Sequence, residues 1–137
     1  MAYTGGDCIE VTCNHPALGS YRFDPKGSED TEIDFGGYLV ADSDDSVTGA
    51  GTNIKQMNRK RWSVSVPPVG WEKNPDTLQN LQKIQDDLNE ASWTFTFIDG
   101  AVYKGTGSIS GDLKGNKNAG TVNGFKVSGG GKLEKIA

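Results

Sequence analysis

Residues 93–103 read Trp-Thr-Phe-Thr-Phe-Ile-Asp-Gly-Ala-Val-Tyr and carry the clearest structural signal in the chain. Aromatic residues and threonines alternate over 93–97, which is the period-two pattern of a strand that buries one face. Asp99-Gly100 follows, and an Asp-Gly pair between two alternating runs is among the strongest short signals for a β-hairpin. The stretch therefore predicts two antiparallel strands joined by a tight turn.

Further strands are predicted on both sides of this hairpin. Trp62, Val64 and Val66 alternate with serines before Pro67-Pro68, which is the pattern of a half-buried strand that ends at the prolines. Alternating β-branched and polar residues give the same prediction for 8–13. The remaining predicted strands cover 21–23, 38–40, 101–110 and 122–127.

One amphipathic helix is predicted over residues 77–91. Asp76 and Gln79 have the spacing of a capping box at its start. We expect its apolar stripe to pack onto a sheet of the same subunit, which gives a mainly β fold, a β-sandwich or small barrel with one flanking α-helix. The stripe recurs at a period near 3.6 residues and consists of Leu78, Leu81, Ile84 and Leu88.

The length of 137 residues fits one domain, assigned to 1–137. No run of 18 apolar residues occurs, which argues against a membrane-spanning helix. The first residues lack the basic and apolar regions of a secretory signal, so we expect folding in a cytoplasm. The net charge of −4 disfavours general binding of nucleic acid, because such binding needs Lys and Arg to displace counterions.

The two cysteines, Cys8 and Cys13, are five residues apart. On a regular strand this odd offset places them on opposite faces, and the spacing of roughly 16 Å exceeds the ~7 Å between Cα atoms that a disulfide allows. Cys8 shares a face with Glu10 and Thr12, so the pattern predicts that Cys8 is the more exposed thiol. Two interpretations stay open: two free thiols, or a disulfide between subunits.

Residues suited to catalysis are few. The single histidine, His15, precedes Pro16 and is interpreted as a surface turn residue. Gly105-Thr106-Gly107 lacks the third glycine of a dinucleotide-binding loop, and neither a nucleophile elbow nor a Cys-x-x-Cys or His-Glu-x-x-His motif occurs. The sequence therefore predicts a protein that is not an enzyme and uses no cofactor or metal.

Residues 42–53 are polar and acidic and contain two glycines, which is typical of a long exposed loop or hairpin tip. Calcium binding is an alternative interpretation. An EF-hand loop needs glycine at its sixth position, where Val47 stands, and glutamate at its twelfth, where Asn53 stands, so a solvated loop is favoured. The aspartates of this run are Asp42, Asp44 and Asp45.

The order of the segments carries a family resemblance. A glycine-led strand, Gly36-Gly37-Tyr38, precedes the polar loop, and Gly-x-Gly-x-Ile-x-Gly-Asp at 105–112 follows the Phe-rich strand. Together with the aromatic strand at 62–66 and the single helix, this order resembles the bacteriophage tail tube proteins. Phage-like bacteriocin tubes and type VI secretion tubes share that fold.

The resemblance implies a β-sandwich subunit, six copies of which form a ring. Rings stack into a tube, and DNA passes through the lumen without specific binding. It implies a virion tail location after assembly in the host cytoplasm, no membrane contact, and as partners further copies of the chain with a tail sheath, an initiator and a terminator. The inter-ring stacking loop is then formed by Asp42, Asp44, Asp45, Val47, Thr48 and Asn53.

The net charge of the chain agrees with such an assembly. Six copies of a chain with a net charge of −4 give a ring with a charge of −24, and where that charge lines the lumen it repels DNA from the wall. The basic run Arg59-Lys60-Arg61 offsets repulsion between subunits.

Two alternative functions remain open. A β-sandwich carbohydrate-binding module requires an exposed aromatic platform, and a small hydrolase requires a nucleophile–base pair. Rings or tubes in negative-stain micrographs distinguish the tube from both.

Overall fold

The computed structural model describes residues 6–39, 46–54, 58–72 and 76–136. Within them the chain forms short antiparallel strands and one helix, α1 (Thr77–Asp86). The strands are β1 (Cys8–His15), β2 (Gly19–Phe23), β3 (Glu32–Asp34), β4 (Gly37–Leu39), β5 (Ser46–Val47), β6 (Asn53–Ile54), β7 (Asn58–Lys60), β8 (Trp62–Val66), β9 (Val69–Gly70), β10 (Ala91–Phe97), β11 (Val102–Ser110), β12 (Gly115–Asn116), β13 (Thr121–Val122), β14 (Phe125–Gly129) and β15 (Glu134–Lys135).

The predicted hairpin at 93–103 is confirmed as β10 and β11 and lies at the centre of the main sheet. The strand order is β2-β1-β10-β11-β14-β8-β3, and β15 also pairs with β11. Residues 102–107 of β11 pair with β10, while residues 108–110 pair with β14. Because β11 takes part in both pairings, it joins the two layers of the predicted β-sandwich.

The interior lies between these layers and is aromatic. Trp62 on β8 meets Phe95 on β10 edge to face, with ring centroids 6.4 Å apart. Trp93 on β10 lies 6.4 Å from Phe125 on β14. Burying large aromatic side chains from both layers supplies much of the hydrophobic stabilisation that such a sandwich needs.

Helix α1 begins where the sequence predicts but is shorter. Asp76 is the N-cap, and its carboxylate accepts the Gln79 backbone N–H at 3.4 Å. Asp87 already has extended backbone angles, so the helix ends at Asp86 rather than at residue 91. Among the described residues, no helix is long and apolar enough to cross a membrane.

The early end of α1 changes its apolar stripe. Leu81 and Ile84 are buried, and Leu78 packs partly buried against the core, next to β11. Leu88 lies beyond the helix and is fully exposed. The prediction that Leu88 joins the helix-to-sheet core is therefore wrong, because the helical period stops two residues before it.

Candidate functional site: a projecting hairpin and a cationic groove

The feature that stands apart from the sandwich is the hairpin arm, which comprises the described residues 37–39, 46–54 and 58–60. Strand β4 pairs with β7, and β5 pairs with β6. Neither pair belongs to the main sheet. At the base of the arm, Gly36 forms a bridge to Lys132, and the Leu133 N–H donates to the Phe35 carbonyl at 2.9 Å. These contacts attach the base of the arm to the sandwich.

The tip of the arm contains part of the predicted stacking loop. Val47 pairs with Asn53, and the Thr48 N–H donates to the Thr52 carbonyl at 2.8 Å. The Thr48 hydroxyl accepts the Thr52 N–H at 3.0 Å. These residues therefore form a small hairpin whose hydrogen bonds are local. The predicted stacking residues Asp42, Asp44 and Asp45 lie outside the described residues.

Apolar side chains on the arm face solvent in the isolated chain. Tyr38 is 61% exposed, Val47 is 66% exposed and Ile54 is 47% exposed. Scattered exposed apolar residues are normal on a protein surface, but three on one thin hairpin gain little from the subunit's own core. This arrangement suits an element that is covered by another molecule.

A groove of about 560 Å³ lies at the base of the arm, and we call it the cationic groove. The register between β4 and β7 explains which residues line this groove, since Tyr38 pairs with Arg59 and Gly37 pairs with Lys60. The bridge from Gly36 brings Lys132 to the same place. The lining residues are Gly36, Gly37, Tyr38, Arg59, Lys60, Gly131 and Lys132.

The charges of the groove are only partly balanced. The Lys60 ammonium lies 2.6 Å from Asp34 Oδ2, and its hydrogen bond lowers the pKa of that carboxyl below its ordinary value. The Gly36 N–H, at 3.0 Å from Asp34 Oδ1, lowers the same pKa further. Among the described residues, neither Arg59 nor Lys132 forms an ion pair. Within the described part of the chain, the groove therefore has two positive charges that no carboxylate balances.

Glycine is required where the arm leaves the sandwich. Gly36 has a φ of 72°, which L-residues with a side chain rarely adopt. A Cβ there would also lie about 2.8 Å from Arg61 C and Trp62 Cα, closer than side chains approach a backbone. Glycine is therefore needed at position 36 because the chain turns there and passes close to the backbone of Arg61 and Trp62.

The main sheet has open end strands, which are a second feature of interest. Strand β2 pairs with β1 on one side, and β3 pairs with β8 on one side. In the part of the chain that the structure describes, neither has a partner strand on its other side. Open edges expose backbone N–H and C=O groups that can pair with another chain.

The structure corrects the prediction for Cys8. Cys8 pairs with Phe97 and Glu10 pairs with Thr96, so Ile9 is an extra residue in β1. This bulge reverses the alternation, and Cys8 is buried together with Cys13 while Ile9 is 47% exposed. Both thiols are free, and burial raises the pKa of Cys8 to about 11 and that of Cys13 to about 12.

His15 is not the surface turn residue that the sequence suggested. It ends β1, and its side chain is buried. Nδ1 accepts the N–H groups of Ala17 and Leu18, both at 3.1 Å, so the ring proton of the neutral imidazole lies on Nε2. Nε2 lies 3.6 Å from Asp87 Oδ1. This distance is too long for a hydrogen bond, so the ring is held by the turn after β1 and lies next to the end of α1.

A smaller groove of about 340 Å³ lies beside the start of α1. Trp71, Asp76 and Lys117 contribute to its lining, and the Trp71 indole N–H donates to Asp76 Oδ1 at 2.9 Å. That hydrogen bond lowers the pKa of the Asp76 carboxyl. Within the described ranges, no group of three or more His, Cys, Asp or Glu residues is arranged to hold a metal ion.

The basic run at 59–61 and the glycines at 36–37 are visible in the sequence, whereas the position of Lys132 beside them is not. The bridge between Gly36 and Lys132 joins positions far apart in the chain, and no local pattern marks it. No family model matches the chain, and no curated protein matches it either.

Proposed function

We propose that the chain is a structural subunit of a tail tube, which forms stacked rings around a lumen through which DNA passes. The observation that carries the proposal is the open main sheet, whose end strands β2 and β3 each pair on one side only among the described residues. Such edges favour aggregation of a free monomer unless they are covered. In a ring, the β2 edge of each copy meets the β3 edge of the next copy, so both edges are covered.

The position of the edges supports a closed ring. The strands β2 and β3 are different surfaces at the two ends of one sheet, so a contact between β2 of one copy and β3 of the next is heterologous. Heterologous contacts close into a ring when the rotation between copies divides a full turn. A hexamer is the ring size that we propose.

The hairpin arm supports stacking of such rings. Its tip residues Val47, Thr48 and Asn53 are exposed and form hydrogen bonds only locally among the described residues. An element of this kind can change partners without disturbing the sandwich core. We propose that the arm contacts the neighbouring ring, and that a sheath, an initiator and a terminator bind other surfaces of the tube.

Negative-stain microscopy and light scattering of the purified protein test the proposal. Rings of uniform diameter, or tubes built from them, are the expected result. A protein that stays monomeric at concentrations up to about 1 mM, where weak contacts of this class would associate, would exclude a tube subunit. Rings without a central hole would exclude passage of DNA while leaving the assembly intact.

A carbohydrate-binding module is the second candidate, and the groove at Trp71 is the observation that favours it. Sugars stack on aromatic rings, and Asp76 and Lys117 offer polar groups beside a partly exposed indole. Affinity electrophoresis in soluble polysaccharides tests this function. Retardation that is lost in Trp71→Ala would support it, whereas unchanged mobility in all polysaccharides would exclude it.

A further inference from the structure

The cationic groove is unusual within an acidic chain. The protein has a net charge of −4, yet Arg59, Lys60 and Lys132 line one groove of about 560 Å³. Asp34 balances Lys60 alone, and the charges of Arg59 and Lys132 stay unpaired in the described part of the chain. Like charges held together repel each other, so the groove is stabilised when an anionic group enters it.

We propose that the cationic groove binds the acidic segment 42–45 of a second copy of the chain, a contact that rests on the stacked assembly proposed above. The segment reads Asp-Ser-Asp-Asp. It thus brings three carboxylates within four residues, and the chain has no lysine or arginine between Leu39 and Val47.

Charge complementarity selects this occupant. Arg59 presents a planar guanidinium that binds a carboxylate with two parallel hydrogen bonds, and Lys132 adds a second cation. Tyr38 offers an apolar ring beside them. Two unpaired cations match a short acidic peptide, whereas a DNA backbone needs a longer series of phosphate contacts and would meet the repulsion of an acidic protein.

The order of elements along the arm favours a second copy over the same chain. The groove lies at the Gly37 end of β4, where Gly37 pairs with Lys60. The acidic segment follows Leu39, at the opposite end of β4. A one-way contact between the segment of one copy and the groove of another is heterologous, and where its rotation does not close a ring it repeats from subunit to subunit and extends a stack.

Charge reversal tests the contact in the assembly. Arg59→Glu with Lys132→Glu is expected to stop stacking while the subunit still folds, as thermal unfolding would verify. Adding Asp44→Lys and Asp45→Lys to that variant is expected to restore tubes, because the charges are exchanged rather than removed. Lys83→Glu, an exposed lysine on α1, is the matched control and should assemble normally. Tubes of normal length from the charge-reversed groove would overturn the proposal.

A binding measurement separates the groove from the assembly. A fluorescein-labelled peptide with the sequence of residues 39–48 is titrated with the full chain carrying Asp42→Asn, Asp44→Asn and Asp45→Asn, and fluorescence anisotropy is recorded. Saturable binding is expected, weaker by at least about tenfold after Arg59→Glu with Lys132→Glu and weakened by salt. A peptide with asparagine at the three acidic positions is the control.

The outcomes distinguish the two proposals. Peptide binding by the triple-asparagine chain, together with neither rings nor tubes from the unsubstituted protein, supports the groove and excludes the tube. Tubes that persist while the peptide fails to bind overturn the groove and leave the tube in place. Tighter binding of a labelled oligothymidine than of the peptide would overturn the protein occupant and assign the groove to nucleic acid.

Discussion

Two tryptophans use the backbone of a single strand as their hydrogen-bond acceptor. The Trp62 indole N–H donates to the Thr106 carbonyl at 3.2 Å, and that of Trp93 donates to the Gly107 carbonyl at 3.1 Å. A buried indole without an acceptor costs about 1–3 kcal/mol, so these bonds fix both rings in the core. A Cβ at Gly105 or Gly107 would lie 2.8 or 2.9 Å from the Trp62 ring, so both glycines are needed for packing in β11.

Gly107→Ala tests this close approach. The added methyl group would lie 2.2 Å from the Ser128 carbonyl oxygen and 2.9 Å from the Trp62 ring, so β11 and β14 must separate. We expect the free energy of unfolding in urea to fall by about 1–3 kcal/mol. Gly130→Ala is the matched control, since no atom lies within 4 Å of its Cβ position, and it should change stability by less than about 0.5 kcal/mol.

The pairing of Asp34 with Lys60 at the base of the arm predicts that the stability of the fold depends on pH. The pKa of Asp34 is lowered in the folded protein, so this pair stabilises the fold above the carboxyl's ordinary pKa of 3.8 and is lost as the pH falls through the lowered value. In Lys60→Met, carbon-13 NMR should find the Asp34 pKa shifted upwards. An unchanged Asp34 pKa in that variant would show that Lys60 does not contact it in solution.

At the scale of elements, α1 and the hairpin arm differ in how they are held. Leu81 and Ile84 fix α1 to the sandwich, and the N-cap Asp76 defines its start. The base of the arm is tied to the sandwich by the bridge at Gly36 and the ion pair of Lys60 with Asp34, and its strands otherwise pair with each other in the described ranges. Removal of a core contact should therefore damage the fold, whereas removal of the arm tip should damage only assembly.

Leu81→Ala is expected to lower the free energy of unfolding by about 2–5 kcal/mol, because it leaves a cavity under α1. Lys83→Ala and Leu88→Ala should each leave the melting temperature nearly unchanged, since both side chains are exposed. Thermal denaturation followed by circular dichroism measures all three. A large loss of stability in Leu88→Ala would mean that residue 88 packs against the subunit.

Replacement of residues 43–51 by a short Gly-Ser linker tests the arm. The segment includes Val47 and Thr48, whose hydrogen bonds are confined to the tip hairpin, so the subunit should still fold with an unchanged near-ultraviolet circular dichroism spectrum. We expect single rings and no stacked tubes in negative-stain micrographs. Normal tubes from this variant would place the stacking contact elsewhere.

For the whole molecule, burial decides what the surface offers to neighbours. The Ile9 bulge places both cysteines inside the sandwich, and the open strands β2 and β3 place backbone hydrogen-bonding groups at its edges. In the proposed ring, contacts between subunits are therefore expected through strand edges and the arm rather than through disulfides.

Thiol chemistry tests this burial in the assembled particle. With the pKa of Cys8 raised to about 11 and that of Cys13 to about 12, iodoacetamide at pH 8 should leave both thiols unmodified until the protein is unfolded in urea. A non-reducing gel of assembled particles should contain monomers only. A dimer band that reducing agent removes would show that Cys8 reaches the surface and would restore the inter-subunit disulfide.

The sequence by itself determined the class of fold. Alternation at 93–97, the Asp99-Gly100 turn and the start of α1 at Thr77 are local patterns, and each is confirmed because a strand period, a tight turn or a helix cap depends on neighbouring residues alone. The tertiary structure decided the rest. The Ile9 bulge depends on pairing with β10, the end of α1 coincides with the contact between Asp87 and His15, and the groove needs Lys132 to meet Gly36 across the fold. These features join residues distant in the chain, so no period or spacing within one segment encodes them.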